Sequence, residues 1–103
     1  MFKTSTRPRV IHPVPFHIEV DGVIVDNSFT ATFQILPIER TIGDALDSDQ
    51  KQTDFLTESV VNMADLDVPF TAELRAELLG RIEVRGALLR AYFDAAKKAA
   101  AKN

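Results

Sequence analysis

Two segments in the first third of the chain alternate between apolar and polar residues, the pattern of a half-buried β-strand. The first, residues 14–20, places on one face Val14, Phe16, Ile18 and Val20. The second, residues 29–35, places on one face Phe29, Ala31, Phe33 and Ile35. The Asp21-Gly22 pair and an Asp-Asn pair after it favour turns. We therefore expect the chain to reverse once or twice and the two strands to pair antiparallel.

Four later stretches repeat apolar residues every three or four positions, which is typical of helices that bury one face. In the first, the residues expected to point inward are Ile38, Ile42, Ala45 and Leu46. A second helix is predicted over residues 50–63, with an acidic loop over residues 65–69 after it. A third is expected to begin at Thr71, a good N-cap residue, and the longest to begin near Ile82.

The pattern predicts an α+β fold, because a hairpin alone is marginal in water and must be covered by other elements. We expect a small N-terminal antiparallel β-hairpin packed on a C-terminal bundle of three to four helices. The predicted organisation is a flexible arm over residues 1–13, a single domain over 14–96 and a flexible Ala/Lys tail over 97–103. The predicted core residues are Phe16, Ile18, Phe29, Phe33, Leu56, Val60, Leu78, Leu89 and Phe93. Among them, Leu89 and Phe93 are expected to anchor the last helix to the hairpin.

Composition narrows the class of protein. With 103 residues, 46% of them hydrophobic, the chain can bury one core of ordinary size. It contains no cysteine, so disulfides and thiolate chemistry are excluded. No apolar run approaches the roughly 20 residues that cross a bilayer, and the first residues lack the apolar stretch of a secretory signal. We therefore expect a cytoplasmic protein with no membrane partner.

Charge is divided unevenly along the chain. Residues 39–67 hold eight acids and two bases, whereas residues 68–103 hold seven bases and four acids. Opposite charges at two places on one small domain favour head-to-tail self-association, which salt would weaken. The simpler interpretation is that these charges only solvate helix faces. A nucleic-acid partner is not favoured, because the bases of residues 81–98 alternate with acids.

The sequence offers few residues that could bind a metal or catalyse a reaction. His12 and His17 are separated by two prolines in an extended segment, and this spacing does not converge on a metal. The acids of residues 44–49 lack the glycine and the terminal glutamate of a calcium loop. Thr57 and Ser59 have no histidine base nearby in sequence, and no glycine-rich loop could hold a phosphate. We expect no catalytic residue, metal or cofactor, and hence no enzyme.

Charged residues remain as candidates for binding. Arg85 and Arg90 are expected to form exposed pairs with Glu83 and Asp94, each contributing only a few tenths of a kcal/mol. Together with two acids of the loop after the second helix, they make up the candidate interaction residues Arg85, Arg90, Asp65 and Asp67.

The segment from Asp54 to Ala95 reads DFLTESVVNMADLDVPFTAELRAELLGRIEVRGALLRAYFDA. Its paired valines, acidic loop, Pro-Phe-Thr helix start, Leu-Leu break and final helix with Ala-Tyr resemble the tail assembly chaperones of long-tailed bacteriophages. The resemblance extends over about residues 14–98. It implies a protein that coats the tape measure protein, recruits tail tube subunits, self-associates as an oligomer or spiral, and is absent from the mature virion. Its location would be the cytoplasm of an infected or lysogenic host.

Two other classes of function stay open at this point. The chain could be a small structural subunit of a phage tail, or of another complex, that remains in the assembly. It could also be a small regulator or a toxin-neutralising partner. Each of these alternatives requires a binding surface and no catalytic site.

Overall fold

The computed structural model describes residues 7–101 and is an α+β fold, as the sequence predicts. Within that range a three-stranded antiparallel sheet, in the order β1-β2-β3, packs with four helices. The elements are β1 (Arg9–Val20), β2 (Val23–Gln34), α1 (Ile38–Asp44), α2 (Asp49–Ser59), β3 (Val60–Ala64), α3 (Ala72–Leu79) and α4 (Ile82–Ala101).

The hairpin of β1 and β2 is longer than the sequence predicts. It reverses once, at Asp21-Gly22, where φ is 52° and 80°, and Val20 pairs with Val23 across this two-residue turn. Two positive φ angles give a turn whose twist matches that of the strands. Of the one or two reversals expected, only this one forms, because the Asp-Asn pair lies within β2.

The first strand begins at Arg9, so the assignment of residues 9–13 to a flexible arm is wrong; residues 1–6 lie outside the described part. Pro13 and Pro15 are compatible with this strand. In an antiparallel ladder, hydrogen-bonded residue pairs alternate with pairs that are not hydrogen-bonded. Counting from the turn, both prolines fall in pairs that are not hydrogen-bonded, so their backbone nitrogens point away from β2. The missing N–H groups therefore fall on the open edge of the sheet, where no ladder bond is lost.

The helix predicted over residues 50–63 is divided in the structure. The α2 helix ends at Ser59, and β3 follows and pairs antiparallel with the last part of β2. A short apolar run does not distinguish a helix from a strand by its period, and β-branched Val60 and Val61 favour the strand. Asp65, at a φ of 64°, ends this strand.

The start of α3 and the end of α4 can be compared with the prediction. The Thr71 side chain accepts a hydrogen bond from the Leu74 N–H (3.0 Å), the capping contact expected from the sequence. The α4 helix continues through residues 97–101, which the sequence predicts to be part of a flexible tail. Residues 102–103 of that predicted tail lie outside the described part.

The core lies between the proximal half of the hairpin, the α2 and α3 helices, and α4. Of the predicted core residues, four are buried: Phe29, Phe33, Leu56 and Val60. Four are only partly buried and pack against the buried cluster: Phe16, Leu78, Leu89 and Phe93. Ile18 is partly exposed further along the hairpin. The predicted anchor positions on α4 are therefore each one residue too late, because the fully buried side chains are those of Leu88 and Tyr92.

Tyr92 is at the centre of this core. Its ring makes edge-to-face contacts with three phenylalanines, at centroid distances of 4.8 Å to Phe55, 5.9 Å to Phe33 and 5.7 Å to Phe93. Its hydroxyl accepts the backbone N–H of Leu36 (3.1 Å) and lies 2.9 Å from the hydroxyl of Thr41. The ring thus fills the core, and the hydroxyl joins α4 to the segment that leads from β2 into α1.

Replacing Tyr92 with phenylalanine keeps the ring and removes the hydroxyl. We expect the free energy of unfolding to fall by about 1–3 kcal/mol, because the buried N–H of Leu36 loses its acceptor. Urea denaturation of Tyr92→Phe checks this, with Thr41→Val as the matched variant. Thr41→Val should cost less, since the Tyr92 hydroxyl keeps its bond from Leu36. Equal stability of Tyr92→Phe and the parent would show that the hydroxyl has no structural role.

The two neighbouring leucines of α4 provide a second test. Leu88 is fully buried, so Leu88→Ala should lower the free energy of unfolding by about 2–5 kcal/mol. Leu89 is only partly buried, and Leu89→Ala should cost clearly less. Thermal and urea denaturation of the two variants side by side measure this difference. A larger loss at Leu89 than at Leu88 would mean that α4 is rotated about its axis relative to the structure.

Candidate interaction surfaces

The far half of the hairpin extends beyond the helices. Residues 21–28 are all exposed, and the protein is elongated, with extents of 52 × 28 × 25 Å. Strand alternation places Val20, Val23 and Val25 on the same face of the hairpin as the buried Val14. The apolar face therefore continues past the end of the core, where Ile82 at the start of α4 is 87% exposed. We call residues 20–25 the hairpin tip.

The two edges of the hairpin differ in how they are protected. Pro13 and Pro15 block the near part of the β1 edge. On the other side, β3 pairs with β2 only over residues 30–33, which leaves residues 24–28 of that edge without a partner strand within residues 7–101. Across the hairpin, the Nδ1 of His17 lies 2.6 Å from the Oδ1 of Asp26, and both side chains are exposed.

The α1 helix presents its large apolar side chains to solvent. Ile38 and Ile42 of α1, and Leu46 in the turn that follows it, are 71–73% exposed, and we call these three residues the α1 stripe. The periodic pattern predicts that they point inward together with Ala45, and only Ala45 does so, with no exposed surface. That prediction is wrong for the three large residues, although the helix itself forms where it was expected.

Polar contacts explain why α1 is rotated in this way. Thr41 lies on the inner side and contacts the Tyr92 hydroxyl, while Arg40 pairs with Asp44 (2.7 Å) and with Glu58 of α2 (2.7 Å). Hydrogen bonds to Asp44 and Glu58 raise the pKa of the Arg40 guanidinium, so it stays charged. The helix is held to the protein through these polar groups and Ala45, and the aliphatic residues are left on the outside.

Arg85, predicted as an exposed interaction residue, has a structural role instead. Its side chain is only 16% exposed. The guanidinium donates to the Leu79 carbonyl (2.7 Å) at the end of α3 and to the Thr53 hydroxyl of α2 (2.7 Å), and it also contacts the Asp49 carboxylate. One side chain thus joins α2, α3 and α4.

The expected ion pairs on α4 are not the ones that form. Glu83 pairs with Arg81 (2.9 Å) and not with Arg85. The pKa of Glu83 is lowered, first by its own backbone N–H and then by Arg81. Within the described part of the chain, Arg90 makes no ion pair with Asp94.

The other candidate residues do not converge on one site. Arg90 is exposed beside a shallow groove of about 120 Å³ between β1 and α4, whose lining includes His12, Pro13, Pro15, Ala87 and Asp94. Asp65 accepts a hydrogen bond from the Thr30 hydroxyl (2.7 Å), which fastens the end of β3 to β2. Asp67 is exposed in the loop before α3. The structure therefore separates the α4 bases from the loop acids.

Many acids of the predicted acidic segment are paired within the chain. The internal pairs are Asp44 and Glu58 with Arg40, Glu58 with Arg7, Asp47 with Lys51, and Asp49 with Arg85. Fewer acids are left to attract a second copy than the sequence alone indicates. Self-association through opposite charges stays a prediction.

The described residues show no site of the kind that supports metal chemistry. Within residues 7–101, no group of three or more histidine, aspartate or glutamate side chains could hold a metal ion. No helix in that range combines the length and apolar character needed to cross a bilayer.

Comparison with known proteins finds no matching family model, curated protein or solved structure.

Arg85 and Arg90 offer a matched pair of substitutions on one helix. Arg85→Lys removes the branched donor that reaches three elements, and should lower the free energy of unfolding by about 1–3 kcal/mol. Arg90→Lys changes an exposed residue and should stay within about 0.5 kcal/mol of the parent. Urea denaturation measures both. Equal effects of the two substitutions would contradict the structural role of Arg85.

Proposed function

We propose that this chain is a tail assembly chaperone of a long-tailed bacteriophage or prophage. In this role it binds the tape measure protein during tail morphogenesis and recruits tail tube subunits. The observation that carries the proposal is the presence of two separate exposed aliphatic surfaces, the α1 stripe and the hairpin tip, on a small domain. The resemblance of residues 54–95 to this family supplies the identity of the partners.

A chaperone that coats a long helical protein needs many weak contacts and no deep pocket. Stable protein complexes bury about 1,200–2,000 Å² in total, and a single stripe of three side chains supplies much less. Contacts of this size dissociate quickly, so they become useful when many copies bind along one chain. Small exposed aliphatic patches suit this requirement, because each copy can leave when tube subunits arrive.

Two surfaces at different places allow one copy to contact two different molecules. A contact between unlike surfaces does not close into a dimer and can continue as a spiral. The α1 stripe and the hairpin tip lie on different elements, and the hairpin tip extends past the helices. This arrangement supports an oligomer or spiral around the tape measure protein in the host cytoplasm, with the chaperone absent from the mature virion.

Co-expression tests the proposal. We expect the tape measure protein encoded in the same genome to be more soluble, and to co-purify with this chain, when the two are produced together. The measurement is the soluble fraction of the tape measure protein with the chain, without it, and with an unrelated soluble protein of similar size. A tape measure protein that is equally insoluble in all three cases would contradict the chaperone role.

The fate of the chain in finished particles separates this proposal from the structural alternative. Mass spectrometry of purified virions should find the tube and tape measure proteins and not this chain. If the chain is retained in a fixed ratio to the tube protein, it is a structural subunit of the tail.

A further inference from the structure

The α1 stripe is a row of exposed aliphatic side chains with a defined shape and charge. The geometry points to this stripe as the docking site for an amphipathic helix whose apolar face is flanked by lysine or arginine. Given the proposed function, on which this inference rests, that helix belongs to the tape measure protein.

The spacing of the stripe suits a helix. Ile38 and Ile42 lie about one turn apart on α1, a rise of about 6 Å, and Leu46 follows in the turn after the helix ends at Asp44. Rows of this kind form the ridges that fit between the side chains of a second helix. Gly43 lies beside the row, and a Cβ added there would meet no other atom within 4 Å. A partner backbone can therefore approach α1 closely at this point.

The charges around the stripe define the partner further. Glu39 and Asp47 are exposed next to it. Within residues 7–101 Glu39 forms no ion pair, and Asp47 has only an exposed pair with Lys51 (3.3 Å). An acidic rim around an apolar row favours a partner with bases at the edges of its own apolar face, and disfavours acidic ones.

A second copy of this chain fits the stripe less well. Two stripes facing each other would bring the acidic rims of the two copies together, and like charges that face each other at an interface are costly. A basic amphipathic helix contacts the same apolar row without this repulsion.

The test uses overlapping fragments of the tape measure protein encoded in the same genome, with binding measured by fluorescence anisotropy. Ile42→Gln should weaken binding of the best fragment about tenfold, because one aliphatic contact is lost while a good helix former is kept. The matched control is Ile11→Gln on β1, outside both proposed surfaces, since Ile11 is 70% exposed and Ile42 73%. This control should bind as the parent does. Circular dichroism establishes that both variants are folded.

A charge substitution gives a second measurement. Glu39→Lys should weaken binding roughly two- to fivefold at low salt, and the loss should shrink at high salt. The control is Glu19→Lys on the hairpin, which should have no effect.

The possible outcomes separate the docking site from the proposed function. If a fragment binds Ile42→Gln as tightly as the parent, the tape measure protein is still a partner, but it does not dock on the α1 stripe and the inference is overturned. If no fragment binds the parent, the tape measure protein is not the occupant, and the proposed function fails with it. If light scattering of the chain alone shows an oligomer that Ile42→Gln dissociates and Ile11→Gln does not, a second copy covers the stripe and the inference is overturned.

Discussion

The buried hydroxyl of Tyr92 connects the core of this protein to its surface. It accepts the backbone N–H of Leu36 and contacts Thr41, so the last helix fixes both the end of β2 and the rotation of α1. This contact holds Thr41 on the inner side of α1, and Arg40 is held by its pairs with Asp44 and Glu58. The aliphatic side of the same helix is left in solvent. These polar contacts together determine which residues are available for binding.

The strand pattern and the helix caps could be predicted from the sequence because they depend on local chemistry. Phe29, Ala31 and Phe33 alternate with polar residues and are buried, and Thr71 caps α3. The third strand could not be predicted in this way. Val60–Ala64 is too short for its period to decide, and it becomes a strand because the neighbouring edge of β2 is available.

The candidate site was predicted less well, because it also depends on contacts between residues that are far apart in the sequence. Periodicity predicts that Ile38, Ile42 and Leu46 share one face of a helix, but it does not show which side of α1 meets the protein. That depends on Tyr92, 51 residues after Thr41. Similarly, Arg85 appears in the sequence as one base among many on α4. Its role becomes visible only when the fold brings α2 and the end of α3 beside it.

The α1 stripe and the hairpin tip have different physical characters, which suits different partners. The hairpin tip carries exposed aliphatic residues on a ribbon with a partly open edge, and open edges can add a strand. The α1 stripe is a short helical row with an acidic rim. A chain with one surface of each kind can contact a helical protein and a sheet-rich one without competition between them.

The central claim is that the α1 stripe faces solvent in the free protein, where it is open for a partner. NMR of methyl-labelled isoleucines in the presence of a soluble paramagnetic agent tests this most directly. The methyl signals of Ile38 and Ile42 should be relaxed as strongly as those of the exposed Ile11 and Ile24, and more strongly than that of the partly buried Ile35, in a dilute sample. Protection of Ile38 and Ile42 to the level of Ile35 would contradict the account.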